Sequence, residues 1–272
     1  MNIYFDTIGC RLNQSEIEIM AAQFRRAGHT VVADAAQADL VIVNTCAVTS
    51  AAASDSRHKI RQAANKGAGQ IIATGCWATL EPQAALNLPG VENVVLNENK
   101  EHLVSDFLQI TPMAFDLEPL AREPLPGDHL RTRAFLKVQD GCDNFCTFCI
   151  TKVARGKGIS RSLAEIMTEV KNALEGGVKE IVLTGVHLGS WGKDLVEKSH
   201  LRDLIEAILK NPSITRLRLS SLEPWDLGEA FFSLWEDSRL CPHIHLPLQS
   251  GSAAILKRMA RKTTPEKYMQ IV

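Results

Sequence analysis

The sequence has no excess of charge of either sign, because 30 Lys and Arg against 31 Asp and Glu leave a formal net charge of −1. Global charge therefore neither favours nor excludes a nucleic-acid partner, and such a case depends on local basic patches. No apolar run approaches about 18 residues, so we expect no membrane-spanning helix. Residues 1–6 lack a basic segment followed by an apolar one, so we expect no signal peptide and a cytoplasmic protein.

The seven cysteines are an odd number, and a cytoplasmic compartment is reducing, so a disulfide framework is not expected. Metal ligation or catalysis is the better interpretation of cysteines in that setting. Cys241 has no cysteine neighbour at a useful spacing and is interpreted as a buried structural thiol.

Residues 1–110 alternate between strand and helix patterns. Continuous apolar runs, such as residues 40–43, are typical of strands buried on both faces. The patterns predict strands over 2–5, 40–43, 70–73 and 91–96, and helices over 13–27 and 50–66. This alternation predicts an α/β domain with a doubly wound parallel sheet.

Prolines interrupt this pattern between residues 111 and 128, which predicts a Pro-rich linker over 111–127. The alternation resumes in a second domain over 128–272. Strands are predicted there over 134–138, 180–183, 216–219 and 243–246, and helices over 163–174, 201–209, 227–235 and 252–259. Four strand–helix units are too few to close a complete barrel, so they predict a partial (β/α) barrel. A helix start at Thr264, so close to Val272, leads us to expect a C-terminally truncated chain.

Cys142, Cys146 and Cys149 in the second domain have the spacing C-x3-C-x2-C, and we call them the barrel cysteine set. Three thiolates within eight residues can converge on one iron–sulfur cluster. Three protein ligands leave one iron of a four-iron cubane open to bind a small molecule. A zinc loop is the alternative, but a zinc site needs a fourth ligand at short spacing, and none follows.

Cys10, Cys46 and Cys76, which we call the N-terminal cysteine set, each follow the end of a predicted strand. The carboxyl ends of parallel strands share one edge of a sheet, where α/β domains bind ligands. We therefore expect these thiols to meet and to hold a second cluster. The alternative is that they are three small buried hydrophobic residues.

Several blocks resemble the radical S-adenosylmethionine (SAM) methylthiotransferases, and the resemblance covers essentially the whole chain. The blocks are residues 7–14, 43–49, 73–76, 183–187 and 245–252, together with the aromatic Phe148 before Cys149. The resemblance implies that residues 1–110 form the methylthiotransferase N-terminal domain, with an auxiliary [4Fe-4S] cluster on the N-terminal set. It implies that residues 128–272 are an incomplete radical SAM domain whose barrel set holds the catalytic [4Fe-4S] cluster. The family ordinarily continues into a C-terminal RNA-binding β-domain, and we expect this domain to be absent here.

The resemblance further implies a transferase that uses two SAM molecules per turnover, one as methyl donor and one as radical source. The strings around Cys10 and Cys46 are most similar to the branch that methylthiolates C2 of N6-threonylcarbamoyladenosine at position 37 of tRNA. Alternatives are isopentenyladenosine-37 in tRNA, a ribosomal-protein aspartate or, more distantly, a non-catalytic iron–sulfur protein. The implied partners are the tRNA anticodon loop and an electron donor such as flavodoxin or ferredoxin, with no membrane. The sequence does not indicate an oligomeric state.

Residues that follow barrel strands are the candidates for SAM contacts, because barrel sites lie at the carboxyl ends of strands. A turn explains Gly185 equally well, and the resemblance implies that Phe148 lies near the adenine of SAM. The candidates are Phe148, Gly185, His187, Ser220, Glu223 and Gln249. A basic run, made of Lys152, Arg155, Lys157 and Arg161, either covers a solvated face or contacts phosphates or the SAM carboxylate.

Overall fold

The structure, a computed structural model, describes residues 1–111, 125–126 and 133–272. Most of the predicted linker therefore lies outside the described residues. Leu125, which lies within that range, is buried in the core of the first domain. No helix in the described ranges is long and apolar enough to cross a membrane.

Five parallel strands form the sheet of the first domain, in the order β2-β1-β3-β4-β5. They are β1 (Asn2–Thr7), β2 (Thr30–Val31), β3 (Leu40–Thr45), β4 (Gln70–Gly75) and β5 (Val91–Val95). Every residue of β3 is buried, because neighbouring strands and both layers of helices cover it. The continuous apolar run predicted this burial.

Helices cover both faces of this sheet. On one face α1 (Arg11–Arg26) and α5 (Leu103–Leu108) pack against residues such as Phe5. On the other face α2 (Ser50–Asn65), α3 (Cys76–Leu80) and α4 (Pro82–Leu86) pack against residues such as Val41. The predicted doubly wound domain is confirmed. The sequence patterns do not predict the short elements β2, α3, α4 and α5, because an element of so few residues shows no recognisable hydrophobic period.

The second domain contains a parallel sheet in the order β10-β9-β6, flanked by helices. Its elements are β6 (Arg133–Lys137), β7 (Gln139–Asp140), α6 (Thr151–Arg155), β8 (Ile159–Ser160), α7 (Leu163–Glu175), β9 (Glu180–Thr184), α8 (Leu201–Leu209), β10 (Leu217–Leu219), α9 (Glu229–Phe232), α10 (Ala253–Arg258) and α11 (Pro265–Ile271). Ile166 and Val170 of α7 and Leu204 of α8 pack in one core with Leu136 and Leu183 of the sheet. This arrangement agrees with the predicted partial barrel.

Two predicted elements of the barrel differ in the structure. Residues 243–246 do not form a regular strand, and only isolated parallel bridges, such as Ser221 with His245, continue the sheet there. Pro242 and Pro247 flank this segment and have no N–H to donate to a ladder. The predicted helix over 227–235 is shorter than expected, since α9 is followed by a tighter 3-10 turn over Ser233–Glu236.

Candidate cluster sites at the domain interface

The N-terminal cysteine set lies at one edge of the first sheet. Cys10 follows β1 after a short turn, whereas Cys46 and Cys76 directly follow β3 and β4. The strand order places β1, β3 and β4 side by side, with the topological switch point between β1 and β3. Three thiols distant in sequence therefore reach the edge where such sheets bind ligands.

Two glycines let the chain bend tightly beside these thiols. Gly9 has φ +99°, and a Cβ on it would lie 2.6 Å from Cys46 Sγ. Gly75 has φ +93°, and its Cβ would lie 2.3 Å from the carbonyl oxygen of Thr45. Only glycine tolerates both the positive φ and the close approach. The segments that carry Cys10 and Cys76 consequently lie directly against the end of β3.

The N-terminal set lines a cavity of about 600 Å³ between the two domains. This volume lies in the range of small-molecule sites, roughly 300–1,000 Å³. Gly185, Ser220 and Gln249, three of the residues predicted to contact SAM, line the opposite wall. The Ser220 hydroxyl is buried and has no hydrogen-bond partner among the described residues, so it is available to bond a ligand.

The barrel cysteine set lies on a loop whose base is closed by the antiparallel pair of β7 and β8. Gly141, with φ +64°, begins the loop, and a Cβ on it would lie 1.9 Å from the carbonyl oxygen of Lys157. The Cys142 N–H donates to the carbonyl of Gly156 over 3.1 Å, and the Cys149 N–H donates to that of Cys146 over 3.1 Å. The backbone thus holds the three thiols in one compact loop.

His187 is buried beside the barrel loop and contacts three polar side chains. Its Nε2 lies 2.9 Å from Asp226 Oδ2, and its Nδ1 lies 3.2 Å from Asn144 Nδ2. Burial lowers the pKa of His187, but hydrogen bonds to Asp226 and Cys142 outweigh it and raise the pKa to about 9. Burial likewise opposes ionisation of Cys142, but hydrogen bonds from His187 and the Asn144 backbone lower its pKa. A lower thiol pKa favours the thiolate, which is the form that binds metal.

The two cysteine sets suit polynuclear clusters better than single ions. Across the described ranges, no three His, Cys, Asp or Glu side chains lie close enough to hold one metal ion. In a cubane each thiolate binds a different iron, so the ligands lie further apart than those of one ion. Three thiols around a roomy cavity, and three on a compact loop where the pKa of Cys142 is lowered, would fit ligands of [4Fe-4S] clusters.

The remaining predicted SAM contacts lie outside the cavity lining as far as the described residues go. Phe148 is half exposed on the barrel loop. His187 contacts Asn144 and Asp226, as described above, and Glu223 forms a bidentate pair with Arg261, at 2.6 Å for the shorter contact. A direct contact of these residues with SAM stays a prediction.

The interpretation of the basic run as a solvated face is wrong for Arg155, which lines the cavity, and a contact of Arg155 with a phosphate or the SAM carboxylate stays a prediction. Its side chain is 2% exposed, and its Nη1 lies 2.9 Å from Glu16 Oε1 and 3.0 Å from Asp140 Oδ2. Arg161 also forms an ion pair, with Glu169. Lys152 lies over the ring of Phe145, with 3.4 Å between Nζ and the ring centroid. Arg155 is paired with Asp140 of its own domain and with Glu16 of the other domain, and the second pairing has no signal in the sequence.

Glu16 is the centre of a buried ion network that sequence reasoning missed. Its carboxylate lies 2.8 Å from Lys100 Nζ, 2.9 Å from Arg155 Nη1 and 3.8 Å from Lys137 Nζ. Burial alone would raise the pKa of Glu16, but Lys100 and Arg155 hold it well below its ordinary value. The network joins α1 to β6 and α6, so it connects the two domains, and its member Arg155 also lines the cavity.

Asn13 and Asn97 also contact the cysteines and were missed. Asn13 Oδ1 lies 3.7 Å from Cys10 Sγ, and Asn97 Nδ2 lies 3.8 Å from Cys76 Sγ. The position of Asn13 one helical turn after Cys10 is a weak signal in the sequence. Asn97 has no such signal, because it approaches Cys76 from the end of β5.

Comparisons with known proteins match both domains. The description "Uncharacterized protein family UPF0004" matches residues 2–97, and "Radical SAM superfamily" matches residues 136–272. The chain is 38% identical to "Threonylcarbamoyladenosine tRNA methylthiotransferase MtaB" of Thermotoga maritima, over 99% of the chain and 63% of that protein. The chain is 35% identical to the protein of the same name from Aquifex aeolicus, over 100% of the chain and 68% of that protein. The chain is 31% identical to "tRNA-2-methylthio-N(6)-dimethylallyladenosine synthase" of Clostridium tetani, over 99% of the chain and 63% of that protein.

A solved structure shares the fold at low identity. The radical S-adenosylmethionine methyltransferase TsrM from Kitasatospora setae, with cobalamin and a [4Fe-4S] cluster bound, has a TM-score of 0.69 and 13% identity, over 99% of this chain and 66% of that chain. The chain spans 63% of the Thermotoga maritima relative, so that protein extends beyond the matched part. The chain belongs to the MtaB-like radical SAM methylthiotransferase family.

Proposed function

We propose that this chain carries the catalytic domains of a tRNA methylthiotransferase that acts on C2 of N6-threonylcarbamoyladenosine at position 37. The observation that carries the proposal is the cavity between the domains, whose walls are the N-terminal cysteine set and the barrel strand ends. The relatives named for threonylcarbamoyladenosine are 35–38% identical to the chain, against 31–33% for the relatives named for dimethylallyladenosine. These names support the choice of nucleoside.

Two [4Fe-4S] clusters and SAM are the proposed cofactors. When bound, they supply the electron and the SAM cleavage needed to activate an inert C–H bond, and the sulfur and methyl group that replace its hydrogen. The barrel and N-terminal cysteine sets provide the thiolates. Ser220, Gly185 and Gln249 line the wall on which SAM would lie, and the Ser220 hydroxyl, which has no hydrogen-bond partner in the described part of the chain, is suited to bond a ribose.

The proposed partners follow from this chemistry. The tRNA anticodon loop would present its adenine to the cavity, and a one-electron donor of the flavodoxin or ferredoxin class would reduce the barrel cluster. Such a reaction on tRNA also agrees with the expected cytoplasmic location.

The test is an assay of the reconstituted chain with SAM, a reductant and tRNA that carries N6-threonylcarbamoyladenosine, followed by mass spectrometry of the nucleosides. The 2-methylthio derivative should appear, and alanine replacement of the N-terminal cysteine set should abolish it while 5′-deoxyadenosine is still formed. If the chain methylthiolates only isopentenyladenosine, or only a ribosomal-protein aspartate, the proposed substrate is wrong and the activity is that of another branch of the family. Absence of 5′-deoxyadenosine under all conditions would leave a non-catalytic iron–sulfur protein.

A further inference from the structure

Helix α6 lies between the two cysteine sets. It begins at Thr151, just after Cys149 of the barrel set, and it ends at Arg155. Its last two residues contact the first domain, since the Ala154 carbonyl accepts a hydrogen bond from Asn97 and Arg155 donates one to Asn13. One short helix therefore connects the loop of one set with the surroundings of the other.

Asn13 ties two thiol-bearing segments of the first domain to this helix. Its side chain is completely buried, and its Nδ2 donates to the carbonyls of Ile8 over 2.9 Å and of Thr45 over 3.0 Å. These carbonyls immediately precede the Gly9–Cys10 turn and Cys46. The remaining amide oxygen, Oδ1, accepts a hydrogen bond from Arg155 Nη2 over 2.7 Å.

Asn97 makes the corresponding connection for the third thiol. Its Nδ2 donates to the Ala154 carbonyl over 2.8 Å and lies 3.8 Å from Cys76 Sγ. Each cysteine of the N-terminal set is thus linked to α6 through one amide side chain, although the three cysteines belong to different strands.

The guanidinium of Arg155 is suited to this position. It donates to Asn13, Glu16 and Asp140 at once, at 2.7, 2.9 and 3.0 Å. A planar guanidinium presents its N–H groups in a fixed fork, whereas a lysine ammonium is a single point charge on a flexible stem. A lysine at this position cannot hold all three partners in the same geometry.

We propose that Arg155, acting through Asn13 and supported by Asn97, is a positioning residue that fixes the N-terminal cysteine set relative to the barrel set. The proposal rests on the proposed function, because sulfur delivery and radical generation must reach the same carbon atom of one nucleoside. Misplacement of reacting groups by about 1 Å can reduce a rate by about 100-fold. A loosened Arg155 contact should therefore damage methylthio transfer more than SAM cleavage.

The test compares Arg155→Lys and Arg155→Met with wild type. The matched control is Arg218→Lys, because Arg218 also forms an ion pair, with Glu180 at 2.6 Å, but lies outside the cavity lining. The amount of 5′-deoxyadenosine formed per methylthio nucleoside should rise by about 10-fold or more in both Arg155 variants. Arg218→Lys should keep the wild-type ratio. An unchanged ratio in the Arg155 variants would overturn the proposal.

Hydrogen exchange of the cluster-free chain gives a second readout that does not depend on activity. In the Arg155 variants, peptides that contain Ile8 and Thr45 should exchange faster than in wild type, although the substitution lies in the other domain. Equal exchange would overturn the proposal, and so would faster exchange combined with an unchanged product ratio. If wild type forms no methylthio nucleoside, the proposed function fails, while the exchange comparison still decides whether Arg155 positions the first domain. If Arg155→Met does not fold, Arg155→Lys carries both measurements.

Discussion

Arg155 and Asn13 are 142 residues apart in sequence, and a hydrogen bond of 2.7 Å joins the guanidinium of one to the amide oxygen of the other. The first residue ends the helix that follows the barrel cysteine set, and the second lies in the helix that follows Cys10. The two domains therefore meet through the segments that carry their cysteines. Stability of this interface and geometry of the two sites are consequently linked.

Replacement of Glu16 by Gln should strongly destabilise the protein. The substitution removes the negative charge beside Lys100, Lys137 and Arg155, all of which are buried. Breaking a buried ion pair by removing one partner typically costs about 3–5 kcal/mol. Urea unfolding should show a lower midpoint at an unchanged slope. Glu206→Gln is the control, because the exposed pair of Glu206 with Arg202 contributes about 0–1 kcal/mol. Equal shifts in both variants would contradict the prediction.

The same carboxylate should make folding stability depend on pH. Burial alone would raise the pKa of Glu16, but Lys100, Arg155 and Lys137 hold it well below the ordinary value of 4.5. A folded-state pKa below the unfolded one adds stability that is present above about pH 4.5 and is lost as the pH falls. The stability difference between wild type and Glu16→Gln should therefore shrink in acid. A difference that stays constant from about pH 7 to pH 3 would show that the Glu16 charge does not stabilise the fold.

Gly75→Ala should destabilise the first domain more than Gly67→Ala. Gly75 has φ +93° and ψ −173°, a region that costs other residues about 1–3 kcal/mol. In addition, its Cβ would lie 2.3 Å from the Thr45 carbonyl oxygen, so β3 and β4 must separate. Gly67 has φ +79° but open space around its Cβ position, so only the backbone cost of about 1–2 kcal/mol applies. The difference in melting temperature between Gly75→Ala and Gly67→Ala isolates the contribution of the clash with Thr45. Similar melting temperatures for the two variants would show that β3 and β4 accommodate it.

Iron content should divide equally between the two cysteine sets. Alanine replacement of either set should lower the iron in reconstituted protein from about eight to about four atoms per chain, because each cubane holds four. Cys241→Ala should leave the iron content unchanged, since that buried thiol accepts a hydrogen bond from Arg216 Nε over 3.2 Å and belongs to neither cysteine set. Iron near four in wild type, unaffected by replacement of the N-terminal set, would exclude the second cluster.

The location of the N-terminal cysteine set could be predicted from the sequence because it depends on a general property of parallel sheets. Strands such as residues 40–43 are recognisable from their apolar runs, and a residue that follows such a strand must lie at its carboxyl edge. The cysteine in question, Cys46, lies there in the structure. No detail of side-chain packing was needed for this prediction.

The ion network around Glu16 could not be predicted in the same way. Glu16 contacts Lys100 and Arg155, which lie 84 and 139 residues away in sequence. A polar residue on a helix is expected to face solvent, but Lys100 of the first domain and Arg155 of the second both pack against Glu16. Arg155 was misinterpreted for the same reason, because its partners are visible only in three dimensions.

The two cysteine sets enclose very different lengths of chain. The barrel set is contained within one short loop, whereas the N-terminal set exists only when β1, β3 and β4 are paired. Short loops close at low entropic cost, while contacts between distant strands require the folded sheet. Gradual denaturation should therefore release iron in two phases, with the N-terminal set losing its iron first. Iron retained on that set would then serve as an internal indicator that the first domain is completely folded.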